Sequence, residues 1–82
     1  MVPHLTPIRV ALIGCGDIAG QYLAELARHP GVVQVAACAD LDLARARARA
    51  AEFGIAGAVT PAEALADGRV EICINLTPPR AR

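Results

Sequence analysis

The chain has 82 residues, is 55% hydrophobic but only 2% aromatic, and carries no net charge. An aliphatic composition of this kind excludes an intrinsically disordered chain, and the balanced charge offers no electrostatic footprint for nucleic acid. All eight basic residues are arginine, so chemistry that requires a lysine has no candidate here.

Residues 8–13 read IRVALI, a nearly continuous branched apolar run. That is the pattern of a strand buried on both faces. A glycine cluster follows at once. Ile18, Tyr22, Leu23 and Leu26 then recur at helical spacing, which predicts a helix over 17–29 that Pro30 and Gly31 stop. Residues 32–39, VVQVAACA, form a second predicted strand ending at Asp40, and Asp42 is placed to cap the next helix. The alternating ARARARA of 44–50 has strand periodicity. Alanine and arginine are strong helix formers and neither is β-branched, so helix is preferred. In that helix Leu41, Ala44, Ala48 and Ala51 share a face of small residues. Arg45 and Arg49 point together into solvent, with Glu52 within reach of Arg49. Gly54 ends it.

Ala58 and Val59 allow a very short strand. Thr60, Pro61 and Glu63 then spell a capping box with proline at the first helical position. That helix runs to about Ala66, and Asp67 and Gly68 turn the chain. Residues 70–76, VEICINL, are the fourth strand, broken by Thr77, Pro78 and Pro79. Strands alternating with helices imply a parallel sheet with crossover helices. Right-handed crossovers predict an α/β fold, a partial Rossmann sheet of order 3-2-1-4 with helices on both faces. Residues 1–7 are an N-terminal tail, and 8–82 the N-terminal part of one domain.

A chain of this size buries about 60–65% of its unfolded surface, so its core is thin. Cys15, Cys38 and Cys73 show no metal or redox spacing and read as free thiols of a reducing compartment. The tail has no signal-peptide pattern, and no apolar run approaches the roughly 20 residues of a membrane span. A cytoplasmic protein is expected.

Gly14, Gly16 and Ala19 make G-x-G-x-x-A between a predicted buried strand and a predicted helix, the context that gives this pattern meaning. Gly14 permits the tight turn. Gly16 lets a diphosphate approach bare backbone, and Ala19 is small enough for the helix to press on the sheet. The helix N-terminus then offers unpaired N–H groups to the anion. Asp40 stands 24 residues after Gly16, where a carboxylate accepts both hydroxyls of an adenosine ribose. It would repel a 2′-phosphate, and Leu41 supplies no arginine to rescue one. NAD is therefore expected in preference to NADP, Arg45 being the residue that reverses this if it swings back. Thr77 and Pro78 close the fourth strand beside the first, on the crevice where ligands of open α/β sheets bind.

Three stretches, IRVALIGCGDIAGQYLAEL, VAACADLD and EICINLTPP, together resemble the N-terminal domain of the Gfo/Idh/MocA family of oxidoreductases. The resemblance spans nearly the whole of 8–82. It implies NAD- or NADP-dependent oxidation or reduction of sugars, polyols and related compounds. It further implies that Gly14, Gly16, Asp17 and Ile18 line the diphosphate turn, that Asp40 holds the adenosine ribose, and that Thr77 and Pro78 lie along the cofactor toward the nicotinamide. Family members commonly carry histidine where Tyr22 and Arg82 stand. His29 instead reads as a helix C-terminal residue and His4 as tail. The family's catalytic lysine and substrate domain have no counterpart in these residues. The expectation is the N-terminal piece of an oxidoreductase, from a truncated frame or a split gene, that does not catalyse hydride transfer alone. A regulatory nucleotide-binding module and a different Rossmann dehydrogenase or CoA-binding domain are the alternatives. The fourth strand would be an exposed apolar edge, open to self-association.

Overall fold

Seven elements alternate between strand and helix along residues 7–77, the part of the chain described by this computed structural model. They are β1 (Ile8–Ile13), α1 (Asp17–Leu26), β2 (Val33–Ala39), α2 (Leu43–Phe53), β3 (Gly57–Val59), α3 (Pro61–Ala66) and β4 (Ile72–Asn75). The strands form one parallel sheet in the order β3-β2-β1-β4, the predicted arrangement. With a neighbour on each side, β1 becomes the most buried strand, and Val10 to Ile13 are all inside.

Side chains alternate across the sheet, and the two faces are covered by different helices. Leu12 and Cys38 pack with Ala19 and Leu23 of α1 and Ala46 and Ala50 of α2. Ala11, Ile13 and Ala39 face the other way, onto Ala64 of α3. Small side chains at these contacts let the helices lie close to the strands. A register shift between Val10 and Ala11 brings Ile13 level with Ala39, and Ile13 also pairs with Asn75. The strands therefore end side by side, and Gly14, Asp40 and Leu76 leave the sheet at one edge. At the far side of the sheet, a Cβ on Gly57 would stand 2.8 Å from the Ala36 carbonyl oxygen, so β3 can reach β2 only with a bare α-carbon there.

The structure corrects several boundaries and one face. Helix α1 stops at Leu26, before His29. Proline disfavours helical backbone in the residue before it. The end tightens accordingly, with Arg28 and His29 donating three residues back, to Glu25 and Leu26. Strand β4 starts at Ile72 because the Glu71 side chain, at 2.9 Å, takes the Arg9 N–H that a longer ladder would use. The buried stripe of α2 is Leu43, Ala46, Ala50 and Phe53, whereas Leu41 is 90% exposed and Ala44, Ala48 and Ala51 face solvent. Alanines at every second position make several stripes look alike, and the flanking Leu43 and Phe53 decide between them. Asp42 caps α2 as expected, accepting from Ala44 and Arg45. The capping box of α3 closes as expected, with Thr60 Oγ1 accepting from Glu63 N and Glu63 Oε1 from Thr60 N. Among the described residues no helix is long and apolar enough to cross a membrane.

Candidate functional site

The glycine turn sits where β1 meets α1, over the C-terminal edge of the sheet. Gly14 adopts φ +98°, a region that side-chain-bearing residues rarely enter. A Cβ there would also come within 3.0 to 3.1 Å of Leu76 and Thr77, so the position is closed to side chains twice over. The Gly14 N–H donates to Ala39 O at 2.8 Å and the Leu76 N–H to Ile13 O at 2.7 Å, which locks the turn to both neighbouring strands. Gly16 is different. Its φ of −78° suits any residue, and a Cβ there would meet nothing within 4 Å. Bare backbone at Gly16 therefore faces open space, the condition a diphosphate cradle requires.

Gly16 is the N-cap of α1, and no side chain caps this helix, whereas Asp42 and Thr60 cap α2 and α3. The Ala19 N–H folds back to Gly16 O at 3.1 Å. Asp17 and Ile18, both exposed, lie in the first turn, where helical N–H groups have no partner within the helix. Ala19 is fully buried against the sheet, as its small size predicts.

Asp40 stands beside this turn. One carboxylate oxygen, Oδ2, accepts from Cys15 N at 2.8 Å, and the other, Oδ1, from Asp42 N at 2.8 Å. Each oxygen keeps a second lone pair. Burial alone would push the Asp40 carboxyl up, but the two backbone donors and the Arg45 cation together hold it below the usual carboxylate value. An ionised acceptor thus lies one hydrogen bond from the turn, oriented from both sides. At the other flank, Asn75 Oδ1 accepts from Thr77 N at 2.9 Å and from Thr77 Oγ1 at 2.6 Å, fixing Thr77 at the exit of β4. Gly14, Gly16, Asp17, Ile18, Ala19, Asp40 and Thr77 are thus gathered at one edge of the sheet. Pro78 lies outside the described residues.

Two contributors escaped the sequence analysis. Cys15, buried at 1% exposure, donates its N–H to Asp40 and its thiol to Ala39 O at 3.3 Å, next to the thiol of Cys38. Arg49 does not point into solvent; it reaches the Gly16 carbonyl at 3.1 Å while pairing with Glu52. Nothing in the residues alone pointed to that contact, since a side chain at Gly20 would meet the guanidinium only at ordinary distances of 3.5 to 3.8 Å. Arg45, Arg49 and Glu52 join the turn in lining an open cleft of about 500 Å³. A groove of about 750 Å³ lies at the other end of the sheet, among Leu26, Pro30, Val33 and Ile55, and contains none of these groups.

Comparison with known proteins agrees with this geometry. Residues 8–81 match the model of the GFO_IDH_MocA oxidoreductase family, NAD-binding Rossmann fold. An inositol 2-dehydrogenase of Arthrobacter sp. (strain FB24) is 42% identical over 87% of this chain, which covers 21% of that enzyme. The crystal structure of GenD2 from gentamicin A biosynthesis, in complex with NAD, superposes with a TM-score of 0.78 at 29% identity. It covers 95% of this chain and 23% of its own. The chain thus spans about a fifth of the length of the relatives it matches. The glycine turn at the end of a buried strand, the acid beside it and the match over 8–81 lead to one conclusion: the chain belongs to the Gfo/Idh/MocA family of oxidoreductases and carries its NAD-binding Rossmann fold.

Proposed function

We propose that this chain holds the adenosine-diphosphate side of NAD for an oxidoreductase that acts on a polyol or a related sugar alcohol. The observation that carries the proposal is the pairing of open space over Gly16 with an ionised Asp40 tied to the same turn. In it, the first-turn amides of Asp17 and Ile18 face the diphosphate, and Gly14 shapes the turn. Ala19 seats the helix, and the free lone pairs of Asp40 accept the ribose hydroxyls. Thr77 lies along the cofactor toward the nicotinamide. NAD supplies the hydride chemistry when bound; this chain binds and orients it. Polyol oxidation is suggested by the inositol 2-dehydrogenase relative. We place the substrate-binding groups and the proton-transfer residue outside residues 8–82, in keeping with the fifth of its relatives that the chain spans.

Calorimetric titration with NAD, NADP and adenosine tests this assignment. Binding of NAD ahead of NADP is expected, since Asp40 repels a 2′-phosphate. Absence of binding by any adenine dinucleotide refutes it. A reducing, cytoplasmic setting suits the three free thiols. A second proposal concerns β4, the outer strand of the sheet, where Ile72 is 47% exposed. Among the described residues its outer edge pairs with no strand, and such an edge is open to another strand and favours self-association. Light scattering that finds only monomer across a concentration series refutes that.

A further inference from the structure

Arg49 belongs to α2, yet its guanidinium serves the entrance of α1. Nη2 donates to the Gly16 carbonyl at 3.1 Å, and Nη1 donates to Glu52 Oε1 at 2.7 Å. The side chain is only 23% exposed. Its guanidinium atoms lie 3.5 to 3.8 Å from where a Cβ on Gly20 would stand, so the group lies alongside the N-terminal half of α1. A planar fork held by a carboxylate on one side and a carbonyl on the other has little freedom.

We propose that Arg49 is a positioning residue for the cofactor, holding the Gly16–Asp17 peptide so that the Asp17 N–H points at the diphosphate. The proposal rests on the reading of this turn as the diphosphate site. A trans peptide is planar, and its carbonyl and N–H point in opposite directions. Fixing the Gly16 carbonyl toward Arg49 therefore turns the Asp17 N–H away from α2, out of the helix end. A cation on the carbonyl also polarises the peptide, which strengthens that N–H as a donor. Gly16 needs this hold more than any other residue would, because glycine rotates freely and, its chain neighbours apart, no residue comes within 4 Å of its Cβ position. Without Arg49, the Ala19 N–H is the remaining donor to the Gly16 carbonyl. Glu52 keeps the guanidinium oriented and offsets its charge.

The test uses the full chain and its Arg49→Gln and Arg49→Lys variants, with three readouts. Amide exchange without ligand is followed at Ala19, whose N–H is bonded to Gly16 O, with Leu12 and Cys38 as internal references. NAD affinity is measured by calorimetry, and adenosine affinity by NMR titration. In Arg49→Gln, loss of a charge-assisted hydrogen bond predicts about tenfold faster Ala19 exchange and about tenfold weaker NAD binding. Leu12 and Cys38 exchange and adenosine affinity stay unchanged, because Asp40 is untouched. Arg49→Lys, with one donor still able to reach the carbonyl, recovers part of the NAD affinity. Unchanged Ala19 exchange, or equal loss of NAD and adenosine binding, overturns the proposal. If the unsubstituted chain binds no dinucleotide, the functional reading fails, and the Ala19 exchange still decides whether Arg49 holds the turn.

Discussion

Replacing Gly16 by alanine separates the requirements of the fold from those of the ligand. The φ of −78° is open to alanine, and beyond its chain neighbours the new methyl group meets nothing within 4 Å. Removing a glycine from the unfolded chain stabilises by about 0.4–1 kcal/mol, while alanine is a poorer N-cap by a similar amount. The two offset, and the melting temperature stays within a few degrees of the parent. The methyl group does occupy the space in front of the turn. Forcing a methyl into a packed contact costs about 1–3 kcal/mol, which is about a 5- to 150-fold loss of NAD affinity. Gly14→Ala is the control with the opposite signature. Its φ of +98° adds about 1–3 kcal/mol of backbone strain, and its Cβ presses on Leu76 and Thr77 at 3.0 to 3.1 Å. For a domain whose whole stability is about 4–12 kcal/mol, that variant loses a large part of its stability, and its melting temperature falls. Thermal denaturation and calorimetric titration on both proteins make the comparison. A Gly16→Ala chain that binds NAD as tightly as the parent would show that the diphosphate does not lie over Gly16, and the reasoning would be wrong.

Other expectations are as specific. Because the Asp40 carboxyl is held below its usual value in the fold, the stability it contributes is complete above about pH 4. It is lost as the pH falls through the lower, folded value. Urea denaturation of Asp40→Asn should show a flatter acid limb, and its preference for NAD over NADP should shrink. Burial, and then the neighbouring Cys15, push the Cys38 thiol up from 9.0 to about 12. A raised pKa favours the neutral thiol in the folded state, so stability falls as the pH rises from 9 toward 12. Cys38→Ala should reduce that slope in alkaline urea titrations, the buried Cys15 thiol, itself raised by burial and by Asp40, keeping the remainder. In Gly57→Ala the new Cβ meets Ala36 O and the Ala37 Cβ at 2.8 and 2.9 Å. A loss of about 1–3 kcal/mol should appear as a lower urea midpoint, and an unchanged midpoint would show that β3 can move away from β2 at no cost.

Strand and helix order, the caps and the glycine turn were legible in the residues themselves because each rests on local physics. Branched apolar runs pack on both faces of a sheet. Thr60, Pro61 and Glu63 satisfy their own helix end, and only glycine accepts the backbone angle at residue 14. Parallel strands joined by right-handed crossovers then left one sheet order, and the structure has it. The position of Asp40 at a strand end could be read in the same way. Its bond to Cys15 could not, since that depends on the register shift at Val10 and Ala11 that brings β1 and β2 level. The buried face of α2 and the destination of Arg49 were decided by how two helices lie on a shared sheet. Alternating alanine and arginine present nearly the same pattern on every side, so only long-range packing chooses which side goes in.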